Sequence, residues 1–235
     1  MASPALVIAV PSKGRLKEKA AELFERAGVP LRVKGHERGY RGRLEGLDGV
    51  EVEYTSAAEI VHQLKAGRVH LGITGEDLVR ETLTDVDATV EFLKPLLGFG
   101  YADVVVAVPD CWLDVSRMAD LEDVAAQFAR AHGRPLRVAT KYTNLTRRFF
   151  AAAGVTGYRI VESVGATEAT PATGTSELIV DITTTGTTLK ANHLKVLADG
   201  LILKSQAHLF AARPAAWEKG AKTLRADILS RLEEA

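Results

Sequence analysis

The segment from Glu177 to Lys190 reads "ELIVDITTTGTTLK" and places five threonines around one glycine at the end of an apolar run that contains an aspartate. "LIVDI" is typical of a buried parallel strand, and the threonines after it are suited to capping the next helix. A tight turn that glycine permits, with bare backbone N–H groups and several hydroxyls, also forms a cradle for an anion. The segment therefore indicates either a capped turn or a phosphate-binding loop.

Cationic residues follow two other predicted strands. After the first strand, "PSKGRL" places Lys13 and Arg15 on either side of Gly14 at the start of a helix, and after "LRVAT" the stretch "KYTN" places Lys141 beside Tyr142. A turn with solvated cations explains the first pair, and a partly buried tyrosine explains the second. A nucleotide ligand would explain both, because a cation neutralises phosphate and an aromatic ring can stack on a base.

The densest positive cluster is "LRVKGHERGYRGR", a stretch with little apolar content. A solvated loop or hairpin is the ordinary interpretation of such a run. Arginine can also grip a phosphate with two parallel hydrogen bonds, where lysine acts as a point charge. The basic side chains of the cluster are Arg32, Lys34, Arg38, Arg41 and Arg43.

Carboxylates near another predicted strand end are the remaining polar candidates. "ESVGATEATP" supplies Glu162 and Glu168, which could hold ribose hydroxyls or a metal, or simply lie on a loop. In "TGED", Thr74 is expected to cap a helix. The histidines are scattered without an i, i+4 pair beside a carboxylate, so no protein side chain is assigned to a metal.

Composition narrows the class of protein. The chain has 235 residues, 46% of them hydrophobic, which is enough for a large core. Thirty basic and thirty acidic residues cancel, so no global field favours nucleic acid or an anionic membrane. The single cysteine, Cys111, excludes an internal disulfide. With no signal-peptide pattern and no long apolar run, we expect a soluble cytoplasmic protein.

Short apolar runs alternate with helical patterns along the chain, which predicts an α/β fold with parallel strands. The alternation begins again after the midpoint, which predicts two lobes. Lobe I is expected to cover residues 1–97 and to be completed by 196–235, and lobe II to cover 98–195 with the threonine loop. Because ligands bind at the carboxyl ends of parallel strands, the two lobes are expected to share a ligand cleft.

Several segments in this order resemble the ATP phosphoribosyltransferase family: "AVPSKGRL", "GITGED", "RVATKYTNLTRRFF", "GATEATP" and "ELIVDITTTGTTLKANHL". The resemblance runs from about Ala5 to about Trp217, and it is to the short form, which lacks the C-terminal regulatory domain of the long form. It implies a two-lobed fold like the type II periplasmic binding proteins. It also implies transfer of 5-phosphoribosyl from 5-phosphoribosyl diphosphate to an adenine ring nitrogen of ATP, with Mg²⁺ and release of diphosphate, in the first step of histidine biosynthesis.

The resemblance assigns roles to residues. It implies that Arg15 and an arginine of the basic cluster, Arg38 with Arg41 as the alternative, face the diphosphate and triphosphate groups as catalytic residues. ATP is implied to contact Lys13, Arg15, Lys141 and Tyr142. The phosphoribosyl substrate is implied to contact Asp181 and Glu168 and the loop residues Thr184, Thr185, Gly186, Thr187 and Thr188.

The resemblance also implies partners. Short-form enzymes pair with a regulatory subunit that resembles histidyl-tRNA synthetase, in a hetero-octamer. Alone, the chain is expected to be a homodimer that histidine does not inhibit. Two alternatives stay open: a base-salvage phosphoribosyltransferase and a non-enzymatic anion-binding protein of similar fold. The salvage enzymes usually have paired acidic residues directly before the loop threonines, and "IVDITTTG" has one.

Overall fold

The computed structural model describes residues 4–33, 39–93 and 97–234. The chain divides into two compact units. Unit 1 consists of Met1–Gly100 and Gln206–Ala235, and unit 2 consists of Tyr101–Ser205.

The described residues form twelve strands and eight α-helices. The strands are β1 (Leu6–Pro11), β2 (Leu31–Val33), β3 (Arg41–Leu44), β4 (Val50–Thr55), β5 (Leu71–Gly75), β6 (Val90–Leu93), β7 (Ala102–Pro109), β8 (Leu136–Thr140), β9 (Tyr158–Glu162), β10 (Leu178–Thr183), β11 (Leu194–Ser205) and β12 (Ala207–Ala212). The helices are α1 (Gly14–Arg26), α2 (Ala57–Lys65), α3 (Glu76–Thr82), α4 (Val86–Thr89), α5 (Met118–His132), α6 (Thr143–Ala152), α7 (Thr187–Ala191) and α8 (Lys219–Glu233).

Unit 1 is built on a seven-stranded mixed sheet with the order β2-β3-β4-β1-β5-β12-β6. Strand β1 lies in the middle, parallel to β4 on one side and to β5 on the other. Its apolar sequence suits that place because a central strand is covered on both faces. Helix α1 buries Ala20, Leu23 and Phe24 in the same core as Leu6 and Ile8 of β1. The helix that follows Lys13 is thereby fixed against the sheet.

Unit 2 is built on a five-stranded sheet with the order β11-β7-β10-β8-β9. Strands β10, β8 and β9 are mutually parallel, and β7 runs antiparallel to both β10 and β11. The carboxyl ends of the three parallel strands therefore meet at one edge of the sheet. That edge carries Lys141 after β8, Glu162 at the end of β9 and the threonine loop after β10.

The second crossing between the units lies after Ser205, whereas the sequence analysis placed it after residue 195. The difference arises because β11 pairs with β7 along nearly all its length, from Leu194 opposite Pro109 to Ser205 opposite Ala102. Register shifts within this pairing accommodate the segment around Gly200.

The expectation that Thr74 caps helix α3 is wrong. Gly75 occupies the N-cap position, and the buried Thr74 hydroxyl donates to the carbonyl of Ala57 over 2.8 Å. The hydroxyl therefore ties β5 to the start of α2 instead. Among the described residues no helix is both long enough and apolar enough to cross a membrane.

Candidate active site

The threonine loop begins where β10 ends at Thr183 and closes on Gly186. The backbone N–H of Gly186 donates to the Thr183 hydroxyl over 2.9 Å, which forms a tight turn. Gly186 has a φ of 73°, a left-handed conformation that side chains other than glycine adopt at a cost. A Cβ at this position would have nothing within 4 Å, so conformation rather than crowding requires glycine here.

The loop presents hydroxyls and backbone N–H groups together. The Thr184 hydroxyl donates to the Tyr101 carbonyl over 3.1 Å, and the hydroxyls of Thr185 and Thr187 lie 2.8 Å apart. Within the described part of the chain, the backbone N–H groups of Thr185 and Thr188 have no protein acceptor. Because α7 has only five residues, these individual donors, rather than a helix macrodipole, make the loop suited to an anion.

Asp181 lies on β10 just before the threonine loop. Charges from two other segments, Lys141 after β8 and Glu168, act on its carboxyl group. Burial has the largest effect and raises the pKa of its carboxyl group above the ordinary value, and the negative charge of Glu168 has the smallest effect, in the same direction. The N–H of Ile182, which donates to the carboxylate over 2.8 Å, and the charge of Lys141 both lower the pKa by less than burial raises it. Glu168 lies in a 3₁₀ turn, Thr167–Ala169, and Lys141 follows β8. Lys141 and Glu168 therefore lie within electrostatic range of Asp181.

Tyr142 does not present its ring to solvent. The residue is fully buried, and the Lys141 ammonium lies 5.0 Å from the centre of its ring. Its backbone N–H donates to the Thr140 hydroxyl over 2.8 Å, which shapes the turn from β8 into α6. In this conformation the ring supports Lys141 and has no free face for a nucleotide base, so the expected stacking contact is not available.

In unit 1, Lys13 and Arg15 follow the carboxyl end of β1 at the start of α1. Both are exposed, and neither has an ion pair within the described residues. The first turn of α1 has no acidic residue, although acidic residues are favoured at helix N-termini. Two unpaired cations at the positive end of a thirteen-residue helix are suited to binding an anion.

Of the two arginines proposed from the basic cluster, Arg38 lies outside the described residues. Arg41 begins β3, its side chain is 70% exposed, and its Nε lies 3.3 Å from a carboxylate oxygen of Glu51. The neighbouring Arg32 is held by Glu45 at 2.6 Å. Carboxylates of the same unit therefore already neutralise some of the positive charge of the hairpin of β2 and β3.

Metal-binding side chains are sparse. The described ranges contain no cluster of three or more His, Cys, Asp or Glu residues able to hold a metal ion. Asp181 and Glu168 are two carboxylates within electrostatic range of each other, which suits a metal that takes most of its ligands from substrate oxygens and water.

Sequence reasoning missed three residues that shape the site. Thr183 accepts the Gly186 N–H, the Tyr101 carbonyl anchors Thr184, and the Thr140 hydroxyl shapes the turn before Lys141. The sequence does indicate a role for Thr183, since threonine hydroxyls often hydrogen-bond nearby backbone groups in turns. The contact with Tyr101 crosses between elements distant in sequence, so no local pattern indicates it.

The fold defines a class of protein. Over 97% of this chain, an ancestral arginine-binding protein bound to arginine superposes with a TM-score of 0.54 at 13% sequence identity, covering 91% of that chain. The substrate-binding protein of an amino acid ABC transporter superposes with a TM-score of 0.52 at 15% identity, covering 92% of that chain. These likenesses show the type II periplasmic-binding-protein-like fold.

Closer relatives identify the family. The sequence pattern of the HisG family, described as ATP phosphoribosyltransferase, matches residues 56–234. A protein from Bradyrhizobium sp. (strain ORS 278) called ATP phosphoribosyltransferase is 60% identical over 97% of this chain and 70% of its own length. A protein of the same name from Mesorhizobium japonicum is 56% identical over 98% of this chain and 99% of its own length. The chain belongs to the ATP phosphoribosyltransferase family.

A solved structure agrees with this assignment. The ATP phosphoribosyl transferase (HisG:HisZ) complex from Thermotoga maritima contains a chain that superposes with a TM-score of 0.73 at 25% identity. The match covers 97% of this chain and 96% of that one. The protein is thus a transferase whose family carries out the first step of histidine biosynthesis.

Proposed function

We propose that this chain transfers the 5-phosphoribosyl group of 5-phosphoribosyl diphosphate to a ring nitrogen of the adenine of ATP. The new bond joins that nitrogen to the anomeric carbon of the ribose, and the bond from this carbon to the diphosphate oxygen breaks. The leaving diphosphate takes the bonding electron pair. Such a displacement depends mainly on positioning two anionic substrates and on stabilising the charge that develops on the leaving group.

The observation that carries the proposal is the threonine loop after β10. Its glycine turn leaves backbone N–H groups of Thr185 and Thr188 without protein acceptors beside several hydroxyls. A terminal phosphate accepts several hydrogen bonds at once, so this loop is suited to the 5-phosphate of the ribose. Thr184, Gly186 and Thr187 complete the cradle in this assignment.

Asp181 and Glu168 are proposed to face the ribose. A carboxylate accepts hydrogen bonds from two adjacent hydroxyls, and its negative charge stabilises a ribose that gains positive character as the diphosphate leaves. The raised pKa of Asp181 reflects burial without a full set of partners, which ribose hydroxyls would supply.

The cations are proposed to bind phosphate groups. Lys13, Arg15 and Lys141 are exposed and lie at strand ends, so they can neutralise the diphosphate and the triphosphate. Tyr142 then acts by supporting Lys141. For the arginine of the basic cluster, Arg38 and Arg41 both remain proposals, and Arg41 would first have to leave Glu51.

A divalent metal is expected for a reaction of this class, and we assign it as Mg²⁺. Asp181 and Glu168 fit a magnesium ion that is held chiefly by substrate oxygens, because this ion usually keeps several waters and takes only one or two carboxylates. When bound, the ion neutralises negative charge on the diphosphate. The protein's own part is to orient the carboxylates toward the substrate.

A regulatory partner is proposed from the solved HisG:HisZ complex. We assign to this chain a subunit resembling histidyl-tRNA synthetase, in a cytoplasmic hetero-octamer, and a homodimer when the chain is alone. Excess histidine is expected to inhibit turnover only after the partner is added.

The Gly186→Ala variant tests the cradle. The methyl group meets no neighbour, but the left-handed backbone costs ~1 kcal/mol and shifts the turn that must close on the phosphate. We expect the KM for 5-phosphoribosyl diphosphate to rise about tenfold or more, which corresponds to ~1.4 kcal/mol of lost binding.

Gly154→Ala is the matched control, because Gly154 has a similar φ of 76° in the same unit and equally open surroundings. It should lower the melting temperature as much as Gly186→Ala does and leave KM unchanged. Equal KM values for the two variants would contradict the assignment of the loop.

A further inference from the structure

A pocket that is open to solvent lies in unit 1, bordered by the end of β12, strand β6 and helix α8. Its volume is about 600 Å³, within the range of small-molecule sites. We call it the Trp217 pocket, lined by Trp217, Arg213, Lys222, Arg225, Glu91 and the small residues Ala211, Ala212 and Ala226.

The Trp217 pocket lies at the opposite edge of the sheet from Lys13 and Arg15. Ala211 pairs with Leu71, and the N–H of Ala212 donates to the His70 carbonyl, so the end of β12 lies beside the beginning of β5. Because β1 and β5 are parallel, the cations after β1 lie at the other end of the strands. The pocket is therefore separate from the residues assigned to the reaction in this unit.

The charge of the pocket is unbalanced. Three cations, Arg213, Lys222 and Arg225, face one carboxylate, Glu91. Arg225 is paired with Glu91 at 2.7 Å, and within the described residues neither Arg213 nor Lys222 has an ion pair, although Arg213 Nε donates to the Asp87 carbonyl over 2.7 Å. The excess of positive charge favours an anion.

The wall of the pocket is a fixed aromatic ring. The indole N–H of Trp217 donates to the Ala212 carbonyl over 2.7 Å, the Arg225 guanidinium lies 5.3 Å from the ring centre, and the His70 ring meets it edge-on at 5.1 Å. His70 is itself held, with Nδ1 accepting from the Val7 N–H and Nε2 donating to the Ala216 carbonyl. An anchored ring loses little entropy when a flat ligand packs on it.

Small side chains keep the pocket open. Ala226 of α8 is exposed there, and Ala211 and Ala212 of β12 form part of the lining. A larger side chain at position 226 would occupy the space without burying a charge or breaking a hydrogen bond.

We propose that the Trp217 pocket binds a small planar organic anion, with its apolar part beside Trp217 and the alanines and its negative group toward Lys222 and Arg213. The volume, the apolar lining and the excess of positive charge, with two cations that have no carboxylate partner among the described residues, together favour this chemistry over a neutral or cationic ligand. The proposal does not depend on the reaction assigned to the threonine loop, because it concerns other residues and binding alone.

Fluorescence titration with anilinonaphthalene sulfonate, a planar aromatic anion, tests the proposal on the full chain. We expect saturable binding of one probe per chain, with energy transfer from Trp217 lost in Trp217→Phe. The uncharged phenylnaphthylamine, which has the same rings without the sulfonate, should bind about tenfold more weakly or worse.

Three further variants give the decisive comparison. Lys222→Glu and Ala226→Phe should each weaken sulfonate binding at least about tenfold, by reversing the charge and by filling the space. Lys219→Glu, which changes the net charge equally on the same helix outside the pocket, should leave the affinity within about twofold. We expect enzymatic turnover to be the same in all three variants. The proposal would be overturned if Lys219→Glu and Lys222→Glu changed the affinity for the sulfonate equally, or if Ala226→Phe did not change it.

Discussion

Asp181 is a largely buried carboxyl group whose charge the fold alone does not fully compensate. Burial raises its pKa, and Glu168 adds a second negative charge nearby. A carboxyl whose folded pKa is raised binds its proton more tightly in the folded state, so the ionised form at neutral pH weakens stability. A substrate that supplies hydroxyl donors or a cation would compensate for this when it binds.

The Asp181→Asn variant tests whether the buried charge lowers stability while it supports turnover. Asparagine keeps the shape but removes the charge, so we expect turnover to fall about a hundredfold, the scale of losing one group that stabilises a transition state. The melting temperature at neutral pH should stay equal or rise. Thermal unfolding and steady-state kinetics of the same preparation check both, with the exposed Asp123→Asn as control. A loss of stability that matches the loss of activity would indicate a structural aspartate.

At the scale of elements, Glu177 joins β8 and β10 at the edge opposite the site. Its carboxylate accepts hydrogen bonds from the Arg137 backbone N–H at 2.7 Å and from the guanidinium groups of Arg137 and Arg134 at 2.7 and 3.0 Å. Burial raises the pKa of Glu177, but the hydrogen bonds from Arg137 and Arg134 lower it by more, to about 2. The clamp holds side by side the two strands whose other ends carry Lys141 and the threonine loop.

The clamp predicts a specific dependence on pH. Because the folded pKa of Glu177 is lowered from 4.5 to about 2, its stabilising effect is complete above 4.5 and is lost as the pH falls toward 2. The difference in melting temperature between the native chain and Glu177→Gln should therefore be large at neutral pH and shrink on acidification. A difference that stays constant down to about pH 3 would show that Glu177 is not ionised in the clamp.

Local pattern predicted the elements better than it predicted their ends. The alternation of apolar runs and helical periods indicated the strands that carry the loop and the cations, since burial sets that pattern. The sequence favoured a cap at Thr74, but the hydroxyl bonds to Ala57, because a contact between distant segments competes with the local one. The sequence left open whether Tyr142 is buried or available to a base, since a tyrosine beside lysine can lie in a core or on a surface, and the structure shows it buried.

In the whole molecule, long-range strand pairing sets the point where the chain returns from unit 2 to unit 1, which local sequence patterns do not indicate. The β/α alternation begins again after the midpoint, which predicted two lobes, but the place where the chain returns to unit 1 depends on β11 pairing with β7. Residues nearly a hundred positions apart make that pairing, and no local pattern shows it. The threonine loop, by contrast, lies in one continuous segment, so its residues could be named from the sequence.

We propose that the threonine loop and the cations at the strand ends bind the substrates of phosphoribosyl transfer to ATP. The most direct measurement is to incubate the purified chain with labelled 5-phosphoribosyl diphosphate, a divalent metal, and either ATP or free purine and pyrimidine bases, and to separate the products. With ATP we expect labelled phosphoribosyl-ATP and an equal amount of diphosphate, and with the bases we expect no labelled nucleotide. Labelled nucleotide formed from a free base, with no product from ATP, would contradict this proposal.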